Sequence, residues 1–232
     1  MFTFRQFAVD DSMTAMKVGT DGVLLGAWAA GGTRILDIGT GSGLIALMMA
    51  QRFPQALVTA IDIDADACRQ AVANAAASPF GSRITVVNAS LQDFAATAMP
   101  QSFDAIVSNP PYFQNSLLSP DARRTAARHT ASLSFRDLMG GVRRLLADGG
   151  VISVIGPADA ESDMEGEAII SGMSVAATVA VSTRQGKRPR RFMARLVNGP
   201  ATTYDHSDVI LTASDGRRSE WYHELTKEFY IR

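Results

Sequence analysis

The sequence predicts an α/β protein with an open, doubly wound, mostly parallel sheet and helices on both faces. Three observations support this class. Short apolar segments typical of buried strands alternate with helical segments along most of the 232 residues. A glycine-rich loop follows the first buried strand, where such sheets bind nucleotides. A short basic loop joins the last two strands, which predicts a hairpin and hence an antiparallel strand.

The individual elements follow from local patterns. A helix ending at Trp28 is expected to begin at Thr20 or Asp21, since either residue can cap it. The alternating apolar residues of segment 2–9 predict a short strand or an ordered arm. Apolar runs that end at polar or turn residues predict strands at 34–38, 57–61, 84–87, 103–107, 151–155, 174–182 and 191–196. Helical patterns predict helices at 44–50, 65–77, 135–146, 158–171 and 218–230.

Composition narrows the class of protein. With 47% hydrophobic and 19% charged residues, we expect a single domain over 1–232, with an N-terminal arm (1–30) and a C-terminal helical tail (205–232). The net charge of −1 means that any affinity for nucleic acid depends on a local basic patch. The single cysteine, Cys68, excludes an internal disulfide framework. Because no secretion signal or apolar membrane span is found, we expect a cytoplasmic protein without membrane attachment.

The glycine loop has the pattern Asp37-x-Gly39-x-Gly41-x-Gly43. Its spacing differs from the dinucleotide fingerprint G-x-G-x-x-G. An acid just before the first glycine would repel a pyrophosphate but attract a ligand that carries an ammonium group. Asp62, at the end of the second strand, can accept hydrogen bonds from both ribose hydroxyls. The alternative is that the glycines serve only helix–strand packing.

A second motif, Ser108-Asn109-Pro110-Pro111-Tyr112, follows the fourth strand. The prolines lack N–H groups and favour extended geometry in the residues before them, so the segment cannot form a helix. The Asn109 side chain and a free carbonyl offer two acceptors beside an aromatic ring. This arrangement suits a flat ring with an amino group. The alternative is a proline-stiffened surface turn.

These motifs resemble a known family. DIGTGSG resembles the glycine loop of class I S-adenosylmethionine-dependent methyltransferases, and NPPY resembles the catalytic motif of their amino-methylating branch. FTFRQF, KVGTDGVLLGAW, SNPPYF and the terminal SE-x-Y-x-x-LT-x-x-FY are together similar to the bacterial methyltransferases that act on adenine N6 next to the anticodon of valine tRNA. The resemblance implies S-adenosyl-L-methionine as cofactor, tRNA as partner, and a Rossmann-like seven-stranded sheet with an antiparallel last strand.

The resemblance also implies roles for individual residues. The glycine loop with Asp37 would hold the methionine part of the cofactor, and Asp62 the ribose. Ser90 stands where the family has an acid, which leaves the adenine contact open among Asn88, Ala89 and Asp93. The expected cofactor-binding residues are Lys17, Thr20, Asp37, Gly39, Thr40, Gly41, Gly43, Asp62, Ile63, Asn88, Ala89, Ser90 and Asn109.

Catalysis and substrate binding are expected at the NPPY motif and at basic residues. The expected catalytic residues are Asn109, Pro110, Pro111 and Tyr112. The expected substrate-binding residues are Tyr112, Phe113, Arg128, His129, Lys187, Arg188, Arg190 and Arg191. A run of cations from Arg184 to Arg195 contains no acid and could grip RNA phosphates, although such runs are also typical of solvated surface.

Several alternatives stay open. NPPY also occurs in enzymes that methylate ribosomal RNA guanine, DNA adenine or protein glutamine, and a non-catalytic protein could merely sense the cofactor. No metal site is expected, because His129 has neither an adjacent carboxylate nor a second histidine. The sequence does not indicate the oligomeric state.

Overall fold

The computed structural model describes residues 1–110 and 133–231. Its strands in chain order are β1 (Phe2–Thr3), β2 (Ala8–Val9), β3 (Arg34–Ile38), β4 (Leu57–Asp62), β5 (Ile84–Asn88), β6 (Phe103–Ser108), β7 (Leu146–Pro157), β8 (Met173–Arg184), β9 (Arg191–Asn198) and β10 (Asp205–Thr212). Its helices are α1 (Thr20–Trp28), α2 (Leu44–Arg52), α3 (Ala65–Ala76), α4 (Leu91–Thr97), α5 (Phe135–Leu145), α6 (Glu161–Ile170) and α7 (Glu220–Thr226), with short 3₁₀ turns at Gly81–Arg83 and Ala158–Ala160.

Eight of these strands form one sheet in the order β10-β8-β9-β7-β6-β3-β4-β5. All of them run parallel except β9, which pairs antiparallel with both β7 and β8. The predicted fold class is therefore confirmed, including the hairpin between β8 and β9. The strands β1 and β2 pair separately as a small hairpin in the N-terminal arm.

The strand count of seven is wrong, because β10 adds an eighth strand in parallel to β8. This strand lies in the segment 205–232, which was expected to be helical, and the helix there is limited to α7. β10 is an edge strand in which three of the eight residues are exposed, four are half-buried and only Val209 is buried. The strand conformation of β10 depends on its pairing with β8. The residues of β10 alone therefore gave only a weak indication of a strand. That the whole chain is one domain stays a prediction.

The parallel register brings the ends of four strands to one edge of the sheet. Ile38 at the end of β3 is level with Ile61 in β4 and with Ser108 at the end of β6. Asp62 in turn is level with Asn88 at the end of β5. Residues that follow these strands, including the glycine loop and the NPPY motif, therefore emerge next to one another.

Helices α1 and α2 approach closely at two glycines. A Cβ atom at Gly26 would lie 2.6 Å from the Met48 sulfur, and one at Gly22 would lie 3.0 Å from Leu44. The start of α1 differs from the prediction: its N-cap is Gly19, which has no capping side chain, and neither Thr20 nor Asp21 caps the helix. The position of α1 therefore depends on packing against α2.

Residues near the start of the chain pack against residues near its end. The Phe4 ring stacks on Phe7 and Tyr230, with ring centroids 4.8 and 6.0 Å away. The backbone N–H of Arg5 donates to the Phe229 carbonyl at 2.8 Å. These contacts fix the N-terminal arm against the end of the chain that follows α7.

This packing predicts that Phe4→Ala lowers the free energy of unfolding by about 3 kcal/mol, because a buried aromatic side chain is lost and leaves a cavity. Phe4 is 2% exposed, whereas Phe2 is 38% exposed. The control variant Phe2→Ala should cost about 1 kcal/mol or less. Urea denaturation measures both values, and equal losses would contradict the anchoring role of Phe4.

Candidate functional site

The glycine turn between β3 and α2 has two kinds of glycine. Gly39, Gly41 and Gly43 all have positive φ angles, of 73°, 55° and 82°. A Cβ atom on Gly39 or Gly41 would meet nothing within 4 Å, whereas one on Gly43 would lie 3.2 Å from the Ala71 Cβ. The first two glycines therefore leave room for a ligand to approach the backbone, and the third allows α2 to pack on α3.

Asp37 lies beneath this turn. Its Oδ2 atom accepts hydrogen bonds from the Thr40 hydroxyl at 2.7 Å and from the Ala46 N–H at 3.1 Å. Its buried Oδ1 atom has no partner. Burial, with a smaller contribution from the charge of Asp62, raises the pKa of Asp37 to about 7, although the two hydrogen bonds act in the opposite direction. The carboxyl group thus holds the turn from below and does not line the cavity above it.

A cavity of about 590 Å³ opens over the glycine turn. This size is typical of small-ligand sites. Its walls come from segments 14–22 of the arm, 38–42 of the turn, 61–64 after β4, 89–92 after β5 and 108–110 after β6, with Arg191 at the start of β9. The site is therefore built from the carboxyl edge of the sheet plus the arm.

The structure brings most of the expected site residues into this cavity, although their individual roles stay predictions. Those that line it are Lys17, Thr20, Gly39, Thr40, Gly41, Asp62, Ile63, Ala89, Ser90, Asn109, Pro110 and Arg191. Those outside its lining are Asp37, Gly43, Asn88, Lys187, Arg188 and Arg190. Five further positions lie outside the described residues: Pro111, Tyr112, Phe113, Arg128 and His129.

Asp62 is held in a defined orientation at the end of β4. Its Oδ2 atom accepts the Gly41 N–H at 2.8 Å, and its Oδ1 atom accepts the Asp64 N–H at 2.9 Å. The Asn88 amide supports this end from behind by donating to the Asp62 and Ile63 carbonyls. Asn88 therefore positions the β4 end, while the Asp62 carboxylate lines the cavity.

Ser90 has a structural partner of its own. Its hydroxyl caps α4 by accepting the Asp93 N–H at 3.0 Å and donating to the Asp93 carboxylate at 2.7 Å. Both Ser90 and Asp93, two of the positions considered for an adenine contact, are thus engaged with each other. The wall made by residues 89–92 is consequently shaped by a helix start.

Lys17 and Asp21 in the arm have partners that sequence reasoning missed. The Lys17 ammonium donates to the Asp11 and Thr14 carbonyls at 2.6 and 3.1 Å. These hydrogen bonds lie within the loop that contains Lys17 and stabilise it. Asp21 forms an ion pair with Arg191, with 2.7 Å between Oδ2 and Nε. No local pattern signals this pair, because its residues are 170 positions apart.

The basic run divides into two groups. Arg184, Lys187, Arg188 and Arg190 are exposed around the β8–β9 turn and form no ion pair within the described part of the chain. Arg191 is paired with Asp21, and Arg195 stacks over the Trp28 ring at 4.1 Å and donates to its carbonyl. The first group offers free positive charge, whereas Arg195 serves packing.

The end of β6 is tied to the end of β3. The buried Ser108 hydroxyl donates to the Ile38 carbonyl at 3.0 Å. This bond sets the position of the next two residues, Asn109 and Pro110, at the wall of the cavity. The asparagine of the motif and the glycine turn therefore share one site.

Within residues 1–110 and 133–231, no group of His, Cys, Asp and Glu is arranged to hold a metal ion. In the same part of the chain, no helix combines the length and the apolar character that crossing a membrane requires.

Comparison with known proteins identifies the family. A family model described as "Methyltransferase small domain" matches residues 12–155. The chain belongs to this methyltransferase family. Two relatives named tRNA1(Val) (adenine(37)-N6)-methyltransferase come from Aeromonas hydrophila, with 42% identity over 100% of this chain and 97% of the relative, and from Phocaeicola vulgatus, with 47% identity over 99% and 97%.

Solved structures support the fold of this methyltransferase. A predicted O-methyltransferase from Agrobacterium tumefaciens superposes with a TM-score of 0.71 over 90% of this chain and 96% of its own, at 20% identity. The likeness concerns the fold alone.

The burial of Asp37 makes a prediction about pH. Its folded-state pKa of about 7 lies above the ordinary value of 3.8. Between these values the unfolded chain releases a proton that the folded protein retains, so stability falls as pH rises and the loss is complete above about pH 7. Asp37→Asn replaces the titrating carboxyl group with an amide, which does not titrate in this range. Relative to the unmodified protein, its free energy of unfolding should therefore improve by roughly 2–4 kcal/mol from about pH 4.5 to about pH 8.

Chemical denaturation of both proteins at the two pH values measures this change. A difference between them that stays constant with pH would show that Asp37 does not titrate in this range.

Proposed function

We propose that this chain transfers the methyl group of S-adenosylmethionine to the N6 amine of an adenosine in tRNA, at the position next to the anticodon of valine tRNA. One observation carries the proposal: the Asn109-Pro110 end of β6 and the Gly39–Gly41 turn open into the same cavity. The full-length similarity to the relatives named above supports the choice of tRNA.

The residues of the cavity fit this cofactor. Open space above Gly39 and Gly41 admits the methionine part against the backbone. Asp62, whose orientation is fixed by two backbone N–H groups, would accept hydrogen bonds from the ribose hydroxyls. The wall at 89–92 would contact the adenine. When bound, S-adenosylmethionine supplies an electrophilic methyl group on its sulfonium sulfur.

Asn109 and Pro110 would prepare the amine that accepts this methyl group. The lone pair of an exocyclic adenine amine is delocalised into the ring, so the nitrogen is a poor nucleophile. The Asn109 side-chain oxygen and the Pro110 carbonyl would accept its two hydrogens, which favours a pyramidal nitrogen with a free lone pair. Catalysis is then mainly positioning. Tyr112 would stack on the base, which stays a prediction from the motif.

The basic β8–β9 loop would bind the RNA. Three exposed cations that form no ion pair among residues 1–110 and 133–231, Lys187, Arg188 and Arg190, lie next to Arg191, which lines the cavity. Phosphates bound at the loop would bring an RNA segment to the mouth of the site. The target base must leave its stack to reach Asn109, which is easiest in a single-stranded loop. We also propose that this protein works in the cytoplasm, because it acts on tRNA. We propose as well that its whole chain forms a single domain.

The decisive experiment offers radiolabelled S-adenosylmethionine and the purified protein to total tRNA, ribosomal RNA, DNA and protein extract. The proposal predicts label in tRNA, recovered as N6-methyladenosine after digestion. Label in ribosomal RNA guanine, DNA adenine or protein glutamine would instead support one of the other amino-methylating activities, and no label in any pool would support a cofactor-sensing protein.

The role of Asn109 predicts a separation of catalysis from binding. Asn109→Ala removes an acceptor for the target amine, and turnover should fall at least about 100-fold. Cofactor affinity, measured by calorimetry, should change little because the Gly39–Gly41 turn and Asp62 are untouched. Equal loss of affinity and turnover would contradict this assignment.

The loop cations predict a change in RNA binding alone. Replacing Lys187, Arg188 and Arg190 together with Gln should raise the KM for tRNA and lower the slope of log Kd against log salt by about 2, since fewer counterions are released. The matched control is Arg143→Gln, which removes an exposed cation from the last turn of α5. If both variants behaved alike, the loop would have no specific role.

A further inference from the structure

The arm is joined to the glycine turn by one buried side chain on α3. Asn74 is 5% exposed. Its Oδ1 atom accepts the Asp10 N–H at 3.0 Å, and its Nδ2 atom donates to the Asp10 carbonyl at 2.7 Å and to the Ser42 carbonyl at 2.8 Å. A single amide group thus satisfies backbone groups of the glycine turn and of the arm, just before the arm segment 14–22 that lines the cavity.

Beyond Asp10, the arm forms a loop that is bonded internally. Asp11 accepts the Val18 N–H at 2.8 Å through its carboxylate. The Thr14 hydroxyl donates to the Met16 carbonyl at 2.8 Å. With the Lys17 ammonium also bound inside the loop, this segment has its own shape. Its position over the cavity therefore depends on its anchors at both ends.

The anchors are unequal. At its C-terminal end the loop continues directly into α1, which begins at Thr20. At the near end it is held by Asn74 and, more weakly, by Gln70, whose Oε1 atom accepts the Met13 N–H at 3.3 Å and the Ser12 hydroxyl at 3.4 Å. These two Gln70 hydrogen bonds go to the arm, whereas Asn74 also donates to the Ser42 carbonyl of the glycine turn.

We propose that Asn74 is a positioning residue for cofactor binding, which holds the arm wall at a fixed place relative to the glycine turn. The inference rests on the proposed function only in taking S-adenosylmethionine as the ligand. A cavity whose walls are already in place binds without a cost for ordering them. Without Asn74, the Asp10 and Ser42 backbone groups lose these partners, and the arm loses its side-chain link to the glycine turn. The methyl-accepting side at Asn109 is unaffected.

The test compares four variants of the full-length chain: Asn74→Ala, Asn74→Asp, Gln70→Ala and Asn198→Ala. Asn74→Asp keeps the shape and the acceptor but loses both donors, so it addresses the same bonds if Asn74→Ala does not fold. Asn198 is a matched control because it is 2% exposed and donates to the Leu146 carbonyl, at the opposite edge of the sheet. Calorimetry gives the Kd for S-adenosylhomocysteine, and methyl transfer at saturating cofactor gives kcat.

We expect both Asn74 variants to weaken binding about 10-fold or more, while kcat stays within about 3-fold. Gln70→Ala should weaken binding less. Asn198→Ala should lower the melting temperature but leave Kd unchanged. Unchanged Kd in the Asn74 variants, a parallel loss of kcat, or an equal loss in Asn198→Ala would overturn the inference.

The outcomes also separate this inference from the proposed function. If the unmodified protein does not bind S-adenosylhomocysteine, the cofactor assignment fails and the inference fails with it. If the unmodified protein binds it and Asn74→Ala binds equally well, only the role of Asn74 fails. Binding without methyl transfer to tRNA would contradict the proposed substrate and leave the role of Asn74 intact.

Discussion

One buried carboxyl group fixes the turn on which the site depends. Asp37 accepts hydrogen bonds from Thr40 and from Ala46, so it joins the end of β3 to the first turn of α2. On the other side, Asp62 accepts the Gly41 N–H. Two acids on neighbouring strands thus hold the same turn from below and from the side. The cost is a partly unsatisfied group in the interior, and its raised pKa reflects that cost.

The walls above the turn depend on contacts distant in sequence. The end of the chain, at Phe229 and Tyr230, fixes the hairpin of the arm, and Asn74 fixes the next part of the arm against the glycine turn. Asp21 at the start of α1 pairs with Arg191 beside the basic loop. Arg191 therefore lies between the cofactor cavity, which it lines, and the exposed cations of the β8–β9 loop. The C-terminal segment supports the site through its contacts with the arm, since the cavity lining includes no described residue after Arg191.

Much of this was predictable from local patterns. The alternation of strands and helices gave the fold class, and the parallel register then placed Asp62 and Asn109 at one edge of the sheet. Local patterns did not reveal that Asp37 points beneath the turn, because burial depends on the packed helices. They also gave a weak signal for β10, since its strand character comes from pairing with β8. The Asp21–Arg191 pair was missed for the same reason: its residues meet only in the folded chain.

The account is tested most directly by a crystal structure of the protein with S-adenosylhomocysteine. We predict that the sulfur lies over the Gly39–Gly41 turn, that the ribose hydroxyls donate to Asp62, and that the Asn109 side chain faces the space where the methyl group would be. A ligand bound elsewhere, or an Asn109 amide turned away from that space, would contradict the account.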